Sequence, residues 1–354
     1  MLEILFKKYN RYRKEKYFQS PLFETKKKYA CIGIGLHSLT NIYPVLRHFN
    51  IQVKYICTKS TNWSKEVTRL FPGCIFTHDI TAILNDTGIE AVFVCAAPGA
   101  HYSLVNALLK AGKKVFVEKP PCGSLAELNT LVSINKHCVC KAGLQRRYWA
   151  GNKYLLKQTT KTRSYIYQFY FGPYPQGNVF NELFIHAIDY SIFLFGDFNI
   201  LSNTFQKDKQ GITMQLHVKH SNGIAGMIEL SSHYSWNDPV EKMSIQCADE
   251  LLTVKYPLQV TGQQKPKRVL DIPVERLYQK PVITKNYFSV SNLIIPAFEL
   301  NTLVLQGFYK ELETFIQIVE SGNNTSDGND LTGLLPVYKI LDELNEFPYR
   351  TASL

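Results

Sequence analysis

The 354-residue sequence has no uninterrupted apolar run of the length, about 20 residues, that a membrane-spanning helix requires. Its eight cysteines include no Cys-x-x-Cys pair, which removes the commonest zinc and dithiol spacings. Cys138-Val139-Cys140 would direct both thiols to the same side of a strand, a poor metal clamp. The cysteines therefore read as buried, reduced thiols, and no metal site is expected. Residues 1–8 hold too short an apolar stretch for a secretory segment and no small-residue cleavage site, so a cytoplasmic location is expected. No internal repeat is present. The Asn323-Asn324-Thr325 sequon carries no meaning in a cytosolic chain.

Apolar material is plentiful, at 45% hydrophobic and 13% aromatic residues. A chain of this length exceeds one ordinary core, so two domains are predicted. The net charge of +11 is uneven: residues 1–28 hold nine Lys and Arg against three Glu and carry more than half of it. With no aromatic-basic repeat and no recognition-helix motif, this leader reads as a solvated extension or a helix packed on a partner subunit. Neither nucleic-acid binding nor stable membrane insertion is expected.

Residues 29–32, 53–57, 74–76, 91–95, 115–117 and 139–144 read as strands. Helices are expected between them at 36–49, 62–71, 80–84, 101–111 and 125–135, the fourth stopping at Gly112 as a C-cap. Several of these strands are apolar on both faces, the mark of a parallel, doubly wound sheet. After residue 160 the pattern becomes alternating, at 164–171, 211–219, 223–231, 241–246 and 251–256. That predicts a half-exposed, largely antiparallel sheet. A helix at 179–194 interrupts it, and helices at 305–319 and 331–344 follow, separated by a polar turn at 323–330. The expected fold class is α/β: an N-terminal Rossmann sheet plus a C-terminal α+β domain with a large, mostly antiparallel open sheet. The expected boundaries are 1–28 for the extension, 29–148 for the Rossmann domain and 149–354 for the second, with the last helices able to pack back on the first.

Gly33-Ile34-Gly35-Leu36-His37-Ser38 follows the first strand and opens a helix. The first glycine permits the tight turn and the second lets backbone approach a pyrophosphate. The third position requires only a small side chain, so Ser38 suffices. The helix N-terminus at Leu36 then offers N–H groups to phosphate. The second strand ends without the acid that would hold ribose hydroxyls. It ends instead in Thr58-Lys59-Ser60, which suits a 2′-phosphate and points to NADP(H), with NAD(H) as the alternative.

Glu118-Lys119-Pro120-Pro121 ends the fifth strand. In order along the chain stand Gly33-Ile34-Gly35, Ala96-Ala97-Pro98 with His101, the stretch 111–120, Gln145-Arg146-Arg147, and Glu182-Leu183-Phe184-Ile185-His186-Ala187-Ile188-Asp189. With these features residues 29 to about 345 resemble the Gfo/Idh/MocA oxidoreductases, named for glucose–fructose oxidoreductase and inositol dehydrogenase. The resemblance implies cofactor contacts from Ala97, Pro98, His101, Glu118, Lys119 and Pro120. It places Lys119 between nicotinamide and substrate and implies a cis bond before Pro120. It implies that His186 accepts a hydroxyl proton, with the acid four residues earlier as orienter, and that the second sheet joins subunits into a homodimer or homotetramer. The family usually carries Asp where this chain has Glu182.

The residue chemistry runs the same way. Oxidising an alcohol requires a base for the O–H proton, a role that suits His186. Lys119 can stabilise the charge developing on the oxygen. On a regular helix Glu182 and His186 form an i, i+4 pair. Asp189 reads as a hydrogen-bond partner, and Arg147 as a substrate contact or an interdomain ion pair. Tyr148, Trp149, Tyr174 and Trp236 suggest a sugar-stacking face. The expected activity is NAD(P)-dependent interconversion of a hydroxyl and a keto group on a sugar, cyclitol or nucleotide-linked sugar. Three alternatives stand beside it: reduction of a non-sugar substrate, as in the biliverdin reductase and dihydrodiol dehydrogenase branches, a cofactor-binding sensor or scaffold without turnover, and a nucleic-acid or membrane adaptor that uses residues 1–28.

Overall fold

Short apolar runs bounded by polar turns build the first sheet. Its strands are β1 (Lys28–Ile32), β2 (Gln52–Cys57), β3 (Ile75–Thr77), β4 (Ile89–Val94), β5 (Lys114–Val117) and β6 (Cys140–Ala142), in the order β3-β2-β1-β4-β5-β6. Every pairing is parallel. The order reverses between β1 and β4, opening a crevice at their carboxyl ends where an open α/β sheet receives its ligand. Ala91 to Val94 have no exposed surface, because helices cover both faces. The computed structural model describes residues 2–18, 25–59, 63–135, 138–174, 177–265, 268–270, 272–276, 283–290, 301–322 and 331–350. Ser60, Asn62, the sequon and the 323–330 turn lie outside these residues.

The helices of the first half are α1 (Leu2–Phe18), α2 (Tyr43–His48), α3 (Ser64–Leu70), α4 (Thr81–Asn85), α5 (Pro98–Lys110) and α6 (Leu125–Ile134). The helix expected over 36–49 is interrupted by a π turn at Ser38–Ile42. Pro44 lies just beyond it. Proline has no N–H to give the carbonyl four residues back, and its ring crowds that carbonyl, so a wider turn accommodates it.

The second sheet has eight strands in the order β16-β13-β12-β11-β7-β10-β9-β8. These are β7 (Thr162–Tyr170), β8 (Phe198–Lys207), β9 (Ile212–His220), β10 (Ala225–Ser231), β11 (Val240–Cys247), β12 (Glu250–Lys255), β13 (Gln259–Gln264) and β16 (Thr284–Ser289); β14 (Arg268–Val269) and β15 (Ile272–Pro273) form a separate ribbon. The β7–β10 pair is parallel and the sheet's other pairs are antiparallel. Sequence periodicity missed β8, β13 and β16. β8 is an edge strand with most of its residues in contact with water, so burial imposes little alternation on it.

Tyr165, Tyr167, Phe169, Met214, Leu216 and Ile245 turn inward, and α7 (Asn152–Leu155) and α8 (Ile185–Phe195) pack on that face. α9 (Asn301–Gln306), α10 (Phe308–Ser321) and α11 (Leu335–Arg350) complete the chain. α10 returns to the first sheet, as the sequence reading allowed. Phe315 meets Phe93 at 5.4 Å and Phe116 at 5.7 Å between ring centroids, burial that contributes about 2–3 kcal/mol.

Candidate active site

The crevice at the switch point begins at Gly33. Its N–H donates to the Cys57 carbonyl at 2.8 Å, its φ is +97°, and an added Cβ would stand 2.5 Å from the Cys95 carbonyl oxygen. Only glycine fits both conditions. At Gly35 a Cβ would meet nothing within 4 Å, so this backbone faces open space. Ser38 does more than stay small. Its buried hydroxyl accepts from the Gly35 N–H and donates to the Gly35 carbonyl, both at 2.9 Å, and so closes the turn.

These residues line a cavity of about 890 Å³, within the usual range of ligand sites. Each of the residues expected to touch cofactor lines it except Pro120. A narrow glycine turn, an open approach to backbone and a cavity of this size fit a dinucleotide. At the far end, the Thr58 N–H donates to the Thr77 carbonyl at 3.1 Å. Lys59 is exposed and makes no ion pair with a described residue. His78 and Asp79 share this rim. Sequence reading passed over both, although they directly follow the third strand, where an α/β crevice collects its contacts.

The Glu118–Pro121 corner is held from several sides. The Lys119–Pro120 peptide is cis. His101 is buried, with Nδ1 2.7 Å from the Pro120 carbonyl and Nε2 2.8 Å from the Ala96 carbonyl. It thus ties the loop after β4 to the corner. Tyr338 of α11 donates to the Cys122 carbonyl at 2.8 Å. Glu118 sits 3.3 Å from His37 Nε2. Burial opposes its ionisation, but His37, Lys119 and His101 together hold its carboxyl below the usual range.

Lys119 reaches across the crevice, and its Nζ donates to the Glu182 backbone carbonyl at 2.5 Å. Burial, with Arg146 adding to it, lowers its pKa against the pull of Glu118 and Glu182. Glu182 lies in a second π turn, Phe180–Phe184, which departs from the regular i, i+4 phase. Its carboxylate accepts from Tyr174 Oη at 2.7 Å and from the Asn178 N–H at 2.9 Å, so no Glu182–His186 hydrogen bond forms. His186 is buried and its ring has no hydrogen-bond partner among the described residues. Burial, then the charges of Arg146, Lys119 and His37, push its pKa well below 6.5.

The unfolded chain therefore binds a proton at His186 that the folded chain rejects. The sign is that stability falls as pH drops below about 6.5, by at most about 1.4 kcal/mol per pH unit for this one group. Chemical denaturation of wild type and His186→Asn between neutral and mildly acid pH is expected to show a shallower loss in the variant. Equal slopes would contradict it.

The two arginines are taken up by ion pairs with second-sheet elements. Arg146 makes a two-pronged contact with Glu241 at 2.8–2.9 Å, and both groups are buried. Tyr167 Oη donates to the same carboxylate at 2.8 Å. Arg147 engages Asp189 through Nε and Nη2. The aromatic candidates separate. Trp149 is buried against Tyr256 and Phe288, whereas Tyr174 and Trp236 lie together, 6.2 Å between centroids, beside Glu182.

Residues 27–143 match the sequence model of the oxidoreductase family with an NAD-binding Rossmann fold, designated Gfo/Idh/MocA. Over this segment the chain is similar to the Gfo/Idh/MocA oxidoreductases. It is similar to the NADP(+) scyllo-inositol 2-dehydrogenase IolW of Bacillus subtilis, at 35% identity over 105 residues, 29% of this chain and 28% of that one. The NAD(+) scyllo-inositol 2-dehydrogenase of the same organism is 25% identical over 179 residues, 44% of this chain and 52% of that one. The matches thus span about a quarter to a half of these curated relatives. A likeness of fold extends further. A dehydrogenase from Chromobacterium violaceum superposes with a TM-score of 0.77 at 18% identity, covering 92% of this chain and 98% of that one. Among the described residues, no helix is long and apolar enough to cross a membrane, and no cluster of His, Cys, Asp and Glu could hold a metal.

Proposed function

We propose that the protein is an NAD(P)-dependent oxidoreductase that interconverts a hydroxyl and a keto group on a cyclitol, sugar or sugar-nucleotide substrate. One observation carries this reading: Lys119 spans the crevice to the π turn that leads into His186, whose imidazole is unoccupied by any described residue. The nicotinamide nucleotide supplies the hydride acceptor or donor. Lys119 holds the reacting oxygen and stabilises negative charge on it. His186, kept neutral by its surroundings, takes the hydroxyl proton during oxidation. Glu182 acts through its backbone carbonyl, which orients the Lys119 ammonium, while its carboxylate anchors Tyr174. The aromatic pair of Tyr174 and Trp236 is the surface on which sugar C–H groups stack. Arg147 and Asp189 neutralise each other and support the helix that carries His186.

Gly33, Gly35, Leu36 and Ser38 seat the pyrophosphate, and Thr58 and Lys59 receive the adenosine end. The charge of Lys59, which no described residue pairs, favours NADP(H), in line with the cofactor named for one of the inositol dehydrogenase relatives, although the other is named for NAD(+). Lys59→Ala is expected to raise KM for NADPH about tenfold or more, the worth of one charged hydrogen bond, and to leave KM for NADH nearly unchanged. A wild-type preference for NADH would contradict the assignment. In this reading residues 29–148 form the nucleotide domain and 149–354 the substrate domain. Exposed Ile166, Leu201 and Leu251 on the second sheet give that sheet an apolar surface for pairing with a second copy.

The reading as a whole is tested by monitoring nicotinamide absorbance with a panel of inositols, aldoses and their keto forms. Turnover with a polyol that is abolished in His186→Ala supports it. Full activity of that variant would favour a non-sugar reductase. Cofactor binding with no turnover on any substrate would favour a sensor.

A further inference from the structure

Two carboxyl groups reach the same peptide, Gly143–Leu144, behind the catalytic corner, and each keeps one buried oxygen without a hydrogen-bond partner among the described residues. Glu118 turns Oε2 toward His37 at 3.3 Å. Its Oε1 is buried and has no hydrogen-bond partner among the described residues. An added Cβ on Gly143 would stand 3.1 Å from that Oε1, so the carboxylate lies flat against this residue. From the other side comes Glu311 of α10, which is 2% exposed. Its Oε1 accepts from the N–H of Leu144, the residue after Gly143. Its Oε2 is buried and equally without a partner. Both carboxyl groups thus lie against the Gly143–Leu144 peptide, and two carboxylates buried at one peptide are costly to ionise together. One proton shared between them would satisfy both oxygens at once.

We propose that Glu311 is a positioning residue that carries a proton and donates it as a hydrogen bond from Oε2 to Oε1 of Glu118. Helix α10 thereby fixes the corner that aims Lys119. No residue of the nucleotide-binding motifs signals this contact, because Glu311 is more than 160 residues distant from Leu144 in sequence. The electrostatics agree. Burial, then the charge of Glu118 and of Asp189, pushes the Glu311 carboxyl well above the usual range, against the Leu144 N–H and Arg147. Glu118 keeps its charge beside His37, Lys119 and His101. Cys95 and Tyr256 also face the pair.

The positioning role rests on the catalytic reading of Lys119; the proton itself does not. Glu311→Gln replaces the acid with a neutral group that still accepts from Leu144 and donates to Glu118. The infrared spectrum of wild type is expected to contain a protonated-carboxyl C=O band that the Gln variant lacks. The folded wild type holds a proton that the unfolded chain loses above about pH 4.3. Wild type is therefore expected to lose stability relative to Glu311→Gln as pH rises from there. In turnover, Glu311→Gln is expected to stay within about threefold of wild-type kcat, while Glu311→Leu, which leaves Glu118 Oε1 and the Leu144 N–H without partners, falls about tenfold or more. A missing band, a stability difference independent of pH, or a Gln variant as impaired as the Leu variant would overturn the proposal. The first two readouts need no substrate, so they decide the matter even where the catalytic reading fails.

Discussion

Lys119→Ala is expected to lower kcat about 10²- to 10³-fold, the usual cost of removing a donor aimed at developing oxygen charge. Nicotinamide nucleotide binding is expected to change little, because the pyrophosphate turn at Gly33 and Gly35 lies elsewhere in the cavity. The size of the effect follows from the surroundings. The half-buried ammonium is held by the charge of Glu118 and by the Glu182 carbonyl, where a charge–oxygen contact is worth more than in open solvent. Lys119→Arg is expected to rescue poorly, since a planar fork cannot occupy the position of a compact ammonium. Steady-state rates paired with nucleotide fluorescence titration separate the two effects. A variant that lost nucleotide affinity and turnover in equal measure would indicate a binding role instead.

The largest stability effect is expected at Arg146. Arg146→Ala leaves Glu241 buried and uncompensated, with Tyr167 alone among the described residues still donating to its carboxylate. Breaking such a pair from one side costs about 3–5 kcal/mol. The Arg146 guanidinium also lies over the rings of Phe169 and Tyr256, at 5.5 and 5.1 Å, so packing is lost with the charge. Removing both charges together, in Arg146→Met with Glu241→Leu, is expected to recover most of the loss. Urea denaturation of the two single variants and the double variant checks this. Additive losses in the double variant would show that the two groups do not stabilise the fold as a pair.

The nucleotide-binding half was legible because its signals are local. Gly33 is required by a positive φ and one close carbonyl, and the apolar strands are buried on both faces, so each residue type reports its own surroundings. The doubly wound sheet followed from that, whereas Ala97, Pro98, His101, Glu118 and Lys119, which also line the cavity, entered through the family resemblance. The opposite wall was less legible. The pairing of Glu182 with His186 assumed regular helical phase, but a π turn intervenes and Asn178 and Tyr174 claim the carboxylate. Nothing in the local sequence announces that turn. Arg146 and Arg147 were visible as candidates, yet only the folded chain brings Glu241 and Asp189 to them. Trp149 and Trp236 look alike in sequence; burial assigns the first to the core and leaves the second beside Tyr174. Contacts such as Tyr338 on Cys122 join positions over 200 residues apart, a separation at which pattern carries no information.

Deuterium transfer is the most direct test of the proposed active site. Wild type and Lys119→Ala, each loaded with NADPH deuterated at the transferring position, would be offered keto-cyclitols and keto-sugars and the products weighed by mass spectrometry. The expected result is a product carrying one added deuterium with wild type, and little or none with the variant while it still binds NADPH. Equal deuterium transfer by both proteins would contradict the assignment of the crevice between Lys119 and His186 as the site of hydride chemistry.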